Sequence, residues 1–119
     1  MNTVEFYVDS KGEKPALKTI LGIEDVKLRA KVFRSIKLLE TFGNKLGEPD
    51  TSPIRDGIFE LRTKHSNNIV RTLYFYDRGQ IIILTNRFIK KTQKIPVSEI
   101  ELALERKRDY ERKKSQNQH

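Results

Sequence analysis

The side chains that could do chemistry in this sequence are cations, and they are concentrated in one segment. Residues 81–96 begin with four consecutive aliphatic side chains, typical of a buried strand, and continue with four cations and no acid. Residues 61–98 carry eight basic side chains and one acid, Asp77, so they hold seven of the eight net positive charges of the chain. Such a concentration indicates a polyanionic partner, above all nucleic acid. The alternative is a solvated basic face that serves solubility.

The chemistry open to arginine and lysine is narrow. The sequence has no Ser–His–Asp pattern, glycine-rich phosphate loop or pair of catalytic carboxylates. With no cysteine and only two histidines, it also predicts neither a metal site nor a cofactor. A set of cations can still cleave RNA, because the 2′-hydroxyl of the RNA itself attacks the adjacent phosphate. The protein then supplies positive charge to the developing phosphorane and a proton to the leaving 5′-oxygen.

Two arginines on predicted strands, Arg62 and Arg71, each have two interpretations. Arg71 interrupts an otherwise apolar strand, so it needs either an anionic ligand or a structural salt bridge. Arg62 could bind a phosphate, or it could be neutralised by Asp56, Glu60 or Asp77. The sequence pattern leaves both interpretations open for each arginine.

Further candidates follow the predicted strands. Lys90 and Lys91 are adjacent, and because neighbours in a strand point to opposite faces, we expect one of the two to face the site. His65 lies in a predicted polar turn, where it is either solvated or a proton carrier that titrates near neutrality. The candidates for substrate binding are Lys64, His65, Arg87 and Lys94.

The elements that must position these residues predict an α+β domain. Hydrophobic periodicity predicts, in chain order, a strand over 4–8, a short helix from Pro15, a long helix over 24–42, strands over 54–63, 69–76 and 80–88, and a helix opened by a Ser98–Glu101 capping box. We expect a small twisted antiparallel sheet, made of the N-terminal strand and a three-stranded meander. Two N-terminal helices should cover one face, followed by a C-terminal helix. Residues 1–114 should form one domain and residues 115–119 a flexible polar tail.

Composition also predicts the compartment. No apolar run approaches the roughly 20 residues that cross a bilayer, and the first residues lack the pattern of a signal peptide. The chain has no cysteine that could form a disulfide. We therefore expect a cytoplasmic protein without a membrane partner.

Three parts of the sequence carry a resemblance to a known family. They are Glu60-Leu61-Arg62, Arg71 before Tyr74, and the run from Arg87 through Phe88-Ile89-Lys90-Lys91-Thr92-Gln93-Lys94-Ile95-Pro96, followed by Glu99 and Ala103. Together they resemble the HigB branch of the RelE/ParE toxin superfamily, whose phage-derived members share an aromatic residue, one variable residue, two lysines, threonine, glutamine, lysine and proline. The resemblance implies a RelE-like fold and the toxin of a type II toxin–antitoxin pair. Most such toxins cleave mRNA in the ribosomal A site, whereas the ParE branch inhibits DNA gyrase.

The resemblance also implies roles for individual residues. Arg71 corresponds to the catalytic arginine of the middle meander strand, and Lys91, with Lys90 beside it, to the basic residue after the last strand. Arg62 and Lys64 fall where the family places supporting bases. The predicted catalytic set is therefore Arg62, Arg71, Lys90 and Lys91. The sequence departs from the RelE pattern in having Glu60 where a lysine is expected and no tyrosine after Lys91, so the general acid and base are not assigned.

The resemblance also implies two macromolecular partners. They are the 70S ribosome with mRNA and a helix-turn-helix, HigA-like antitoxin that forms a heterotetrameric complex with the toxin. A gyrase inhibitor on the same fold and a non-catalytic nucleic-acid-binding phage protein are the two alternatives.

Overall fold

A computed structural model describes residues 2–90 and 94–117 of the chain, and its secondary structure is α+β as predicted. The elements in chain order are β1 (Thr3–Phe6), α1 (Pro15–Leu21), α2 (Val26–Phe42), a short 3₁₀ helix (Gly43–Lys45), β2 (Thr51–Arg55), β3 (Ile58–His65), β4 (Asn68–Asp77), β5 (Ile81–Lys90) and α3 (Val97–Gln116). None of the helices in the described ranges is both long and apolar enough to cross a membrane.

The five strands form one sheet in the order β1-β5-β4-β3-β2. The predicted antiparallel meander is confirmed, because β3, β4 and β5 pair consecutively. The prediction of an entirely antiparallel sheet is wrong, because β1 pairs with β5 in parallel, with Thr3 opposite Ile81. Parallel neighbours need a long connection, and here almost the whole domain lies between the two strands.

The predicted strand over residues 54–63 is a hairpin rather than one strand. β2 and β3 are joined by a tight turn at Asp56 and Gly57, whose φ angles of 51° and 82° are both positive. Asp-Gly is a strong signal for a two-residue hairpin turn, and the aliphatic residues on both sides of it concealed that signal in the sequence. Residues 51–53, which lie between two predicted elements, are therefore part of the edge strand β2. Pro53 is tolerated there because an edge strand leaves one side of its backbone without a strand partner.

Helices cover both faces of the sheet. Ile20 of α1 and Leu28, Val32 and Leu39 of α2 pack on Val70 and its neighbours on one face, which we call the α2 face. Ala103 of α3 packs on the opposite face, the α3 face, together with Leu73, Phe75 and Ile83. The predicted pair of N-terminal helices on one face is therefore confirmed, and α3 adds a third layer. Because side chains alternate along a strand, Arg71, between Val70 and Thr72, points to the α3 face.

The start and the end of α3 differ from the prediction. Pro96 is the N-cap residue and Ser98 lies inside the first turn, so the predicted Ser98–Glu101 capping box is wrong. At the other end the helix continues to Gln116, so Ser115 and Gln116, assigned above to a flexible tail, are helical. The second half of α3 is held to the sheet by Tyr110, whose hydroxyl donates a hydrogen bond to Asp77 at 2.7 Å.

Candidate functional site

Polar residues of three strands meet on the α3 face at one end of the sheet. Arg62 of β3 lies opposite Arg71 of β4, and Arg71 lies opposite Phe88 of β5. Helix α3 begins over Asn86, whose amide donates to the Glu99 carbonyl oxygen at 3.2 Å, and it runs from there towards Asp77. Arg62 and Arg71 therefore lie beyond the first turn of α3, at the end of the sheet that this helix does not extend over.

Glu60 joins the two arginines. Its Oε1 accepts a hydrogen bond from Arg62 Nε at 2.6 Å and from Arg71 Nη1 at 2.7 Å, and the Ser52 hydroxyl donates to the same oxygen at 3.3 Å. Glu60 is 3% exposed and Arg71 is 7% exposed, so this ion pair is buried. Glu60 Oε2 and Arg71 Nε have no hydrogen-bond partner among the described residues. We call Glu60, Arg62 and Arg71 the arginine cluster.

Arg62 is fixed from a second side by the chain that precedes β2. Its Nη1 donates to Glu48 Oε2 at 2.9 Å and to the Pro49 carbonyl oxygen, and its Nη2 donates to the Ser52 hydroxyl. The hydrogen bonds to Glu48 and Glu60 raise the pKa of Arg62. Of the neutralising acids considered from the sequence, Glu60 is the one that pairs with Arg62, and Glu48 was not foreseen.

Three of the remaining predicted residues lie near this end of the sheet. Lys64 is exposed, follows Arg62 on the same face of β3 and pairs with Ile69 in register. Lys90 is the last residue of β5 and also pairs with Ile69 in register, and its side chain lies outside the described part of the chain. Lys94 is exposed in the turn before α3. Lys91 is outside the described residues.

The structure does not bring Arg87 and His65 to the arginine cluster. Arg87 donates through Nη2 to the Thr19 carbonyl oxygen of α1, on the α2 face, and burial lowers its pKa. His65 Nε2 lies 3.8 Å from Asp25 Oδ2 at the start of α2. The sheet itself separates these two side chains from Arg71.

Glu60 is the residue of the cluster that we missed as a functional candidate. The available signal was its spacing: an acid two positions before Arg62 on a strand shares a face with it, and a buried arginine requires a counter-ion. Arg62, whose side chain is 25% exposed, and the exposed lysines nearby can donate to phosphate oxygens, while the buried Arg71 adds positive charge behind Arg62. Within residues 2–90 and 94–117, no three His, Cys, Asp or Glu side chains lie close enough together to hold a metal ion.

Known proteins show similarity to nearly the whole chain. Residues 23–108 match the family described as phage derived protein Gp49-like (DUF891), a stretch that includes α2, β2 to β5 and most of α3. Two proteins of Mycobacterium tuberculosis, from strains CDC 1551 / Oshkosh and ATCC 25618 / H37Rv, are both named "Probable endoribonuclease HigB1". Each is 30% identical to this chain over 112 residues, which cover 94% of this chain and 87% of the mycobacterial protein.

Proposed function

Because the chain belongs to the Gp49-like family of phage-derived, HigB-type toxins, we propose that it is the toxin of a toxin–antitoxin pair and acts as an endoribonuclease that cleaves mRNA on the ribosome. The observation that carries the proposal is the arginine cluster. Arg62 and Arg71 lie opposite each other in the register of β3 and β4 and share Glu60, in the segment that holds seven of the eight net positive charges. Fixed cations of this kind can stabilise a phosphorane at no cost in reorganisation.

In the proposed reaction the 2′-hydroxyl of the RNA attacks its own 3′-phosphate, without a metal ion. Negative charge accumulates on the phosphorane oxygens, and Arg71 and Lys91 stabilise it, with Arg62 and Lys90 as supporting charges. Glu60 holds the guanidinium of Arg71 in place through Oε1. As the 2′-O–P bond forms, the 2′-hydroxyl releases its proton and the P–O5′ bond breaks. The leaving 5′-oxygen takes up one proton, so the phosphate becomes a 2′,3′-cyclic diester with no net change in protons.

The remaining cations have proposed roles that follow from their positions. Lys64 and Lys94 are exposed near the open end of the sheet, and we assign them to the flanking phosphates of the mRNA. Arg87 and His65 face α1 and α2, so the proposal leaves them outside the cleavage step. We further propose a helix-turn-helix antitoxin as the partner in a heterotetrameric complex.

The test is the double variant Arg71→Ala/Lys91→Ala. Loss of a single preorganised donor typically reduces the rate about 10²–10³-fold, so we expect the variant to abolish both growth arrest and cleavage of ribosome-bound mRNA. Cleavage should be measured in purified translation reactions, and the ends of the fragments should be identified. A 2′,3′-cyclic phosphate with a 5′-hydroxyl supports attack by the 2′-hydroxyl, whereas a 3′-hydroxyl with a 5′-phosphate would refute it. The matched control is Lys11→Ala/Lys37→Ala, which removes two exposed cations elsewhere.

Because Arg71 is buried and paired with Glu60, its substitution could impair folding as well as cleavage, and the two effects must be measured separately. Arg71→Lys keeps the charge but loses the planar, multidentate fork, so it should fold and remain strongly impaired in cleavage. Urea unfolding of each variant gives the folding control. Intact mRNA together with inhibited DNA supercoiling would refute the nuclease proposal in favour of gyrase inhibition. Undiminished cleavage by the folded double variant would refute the assignment of the site.

A further inference from the structure

A groove borders the arginine cluster and shares Arg62 and Lys64 with the proposed reaction, whereas its α2 side has no role in that reaction. It has a volume of about 470 Å³ and lies between α2 and the end of β3. Four of its lining residues are cations and one is an acid: Lys31, Arg34, Arg62, Lys64 and Asp50. Leu38, which is 39% exposed, and Ile69 give it an apolar side. The groove therefore combines an apolar surface with a basic rim.

An open strand edge borders this groove. The ladder between β3 and β2 ends where Arg62 N–H donates to the Asp50 carbonyl oxygen at 2.8 Å. Before Asp50 the chain turns away from β3, since Thr51 N–H bonds back to the Gly47 carbonyl oxygen at 2.9 Å. Peptide groups that point to one side of a strand recur every second residue, so the N–H and C=O of Lys64 point to the same side as those of Arg62, where β2 no longer continues. Among residues 2–90 and 94–117, the N–H and C=O of Lys64 have no backbone partner, and an edge of this kind is a template for another strand.

We propose that this groove binds a short, extended, acidic segment of a protein partner, which adds to the edge of β3 at Lys64. The backbone of the segment would bond to the N–H and C=O of Lys64, as in other complexes formed by strand addition. Its carboxylates would lie on Lys31 and Arg34, and an apolar side chain would pack on Leu38. A peptide fits these features better than RNA, because RNA has no backbone that continues a β-ladder and gains little from an aliphatic surface.

Occupation of the groove would also affect the arginine cluster. Arg62 lines the groove and hydrogen-bonds to Glu60, so a bound segment would contact the cluster directly. An acidic segment there would compete with phosphate for the same positive charge. This inhibitory consequence rests on the proposed nuclease function, whereas the binding site itself does not.

The experiment selects peptides from a displayed library of random 12-residue sequences on the immobilised full chain. We expect enrichment of peptides that alternate Asp or Glu with aliphatic residues. Arg34→Glu and Leu38→Asp should each weaken binding of the selected peptides at least about tenfold, a loss of about 1.4 kcal/mol. Matched controls on the same helix, Lys37→Glu and Phe33→Asp, should change it less than about twofold; Phe33 is 37% exposed, close to the value for Leu38.

A second measurement locates the peptide. Hydrogen exchange of the Lys64 amide, followed by NMR, should slow at least about tenfold when the selected peptide binds, because strand addition gives that N–H a partner. Urea midpoints of all four variants show whether each is folded. Selected peptides without acidic enrichment, unchanged Lys64 exchange, or equal losses in groove and control variants would overturn the proposal.

One outcome would identify a different ligand. If a 12-nucleotide single-stranded RNA binds, loses affinity with Arg34→Glu, and no peptide is selected, the groove is an RNA surface and the proposal fails. None of these measurements uses mRNA cleavage or growth arrest. Failure here therefore leaves the proposed function untouched, and failure of the proposed function leaves this binding site standing.

Discussion

Replacing Glu60 with methionine tests the arginine cluster most directly, because Glu60 is the counter-ion of a buried cation. Among the described residues, the Arg71 guanidinium has one hydrogen-bond partner, Glu60, and its side chain is 9% exposed. Glu60→Met therefore leaves Arg71 charged and buried without an anion. Breaking a buried ion pair from one side typically costs about 3–5 kcal/mol. That is a large share of the roughly 5–15 kcal/mol that stabilises a domain.

The opposite substitution, Arg71→Met, should be milder. Glu60 then keeps Arg62 Nε at 2.6 Å and the Ser52 hydroxyl at 3.3 Å, so its charge is still neutralised. We expect a cost of about 1.5–3 kcal/mol, that of a hydrogen bond to a charged group. The double variant Glu60→Met/Arg71→Met removes both charges of the ion pair, so neither is left buried without its partner. Its cost should therefore fall below the sum of the single costs by about 2 kcal/mol or more.

The assay is urea unfolding followed by circular dichroism, with the free energy of unfolding taken from the midpoint and slope of each transition. A matched surface pair provides the control. Lys37 and Glu40 form an exposed i,i+3 ion pair at 2.9 Å, with side chains 69% and 30% exposed, and removing Lys37 should cost less than about 0.5 kcal/mol. The reasoning is refuted if Arg71→Met costs as much as Glu60→Met, or if the two single costs add within about 0.5 kcal/mol.

Two further predictions concern other parts of the domain. Burial and a hydrogen bond to Asp109 raise the pKa of Tyr7 to about 12 from 10.0, so the folded state favours the neutral phenol. The stability that this contributes is complete below about pH 10 and is lost as the pH rises towards 12. Tyr7→Phe should reduce the fall in urea midpoint over that window, and an unchanged fall would contradict the assignment. Gly43 has a φ of +54°, and a Cβ there would clash with the Asn2 side-chain amide, so Gly43→Ala should cost about 1–3 kcal/mol. Gly22→Ala, at a φ of −78°, is the control and should change the unfolding free energy by less than about 1 kcal/mol in either direction.

Periodicity in the sequence predicts the elements that bury a continuous apolar pattern. The long helix was placed within two residues of its observed start at Val26, and the three strands of the meander were paired as observed. The short elements β1 and α1 are predicted as well, whereas the short strand β2 is not, because its local signals compete with strand pairing. β2 has five residues and contains Pro53, which disfavours a strand unless it lies at the edge of a sheet. Its edge position depends on pairing with β3, and only the folded chain provides that pairing.

For a related reason, the sequence alone could not decide whether Arg71 and Arg62 bind an anionic ligand or form structural salt bridges. Both arginines pair with Glu60, which is two residues from Arg62 in the chain but eleven residues from Arg71. The sequence contains sixteen acids that could have served. Strand register selects Glu60, because the pairing of β3 with β4 places Arg71 directly opposite Arg62.

The sequence by itself determined that the chain is an α+β domain with almost all of its net charge in the meander and the segment that follows. Net charge and hydrophobic periodicity depend only on which residues are present and on their order along the chain, so they can be read without the three-dimensional structure. Only the tertiary structure decided which cations share a face of the sheet. β5 contains a bulge: Tyr74 pairs with Leu84, but its neighbour Leu73 pairs with Asn86. The extra residue reverses the alternation of every side chain that follows it. Asn86 therefore faces α3, and Arg87 faces α1 instead of joining Arg71.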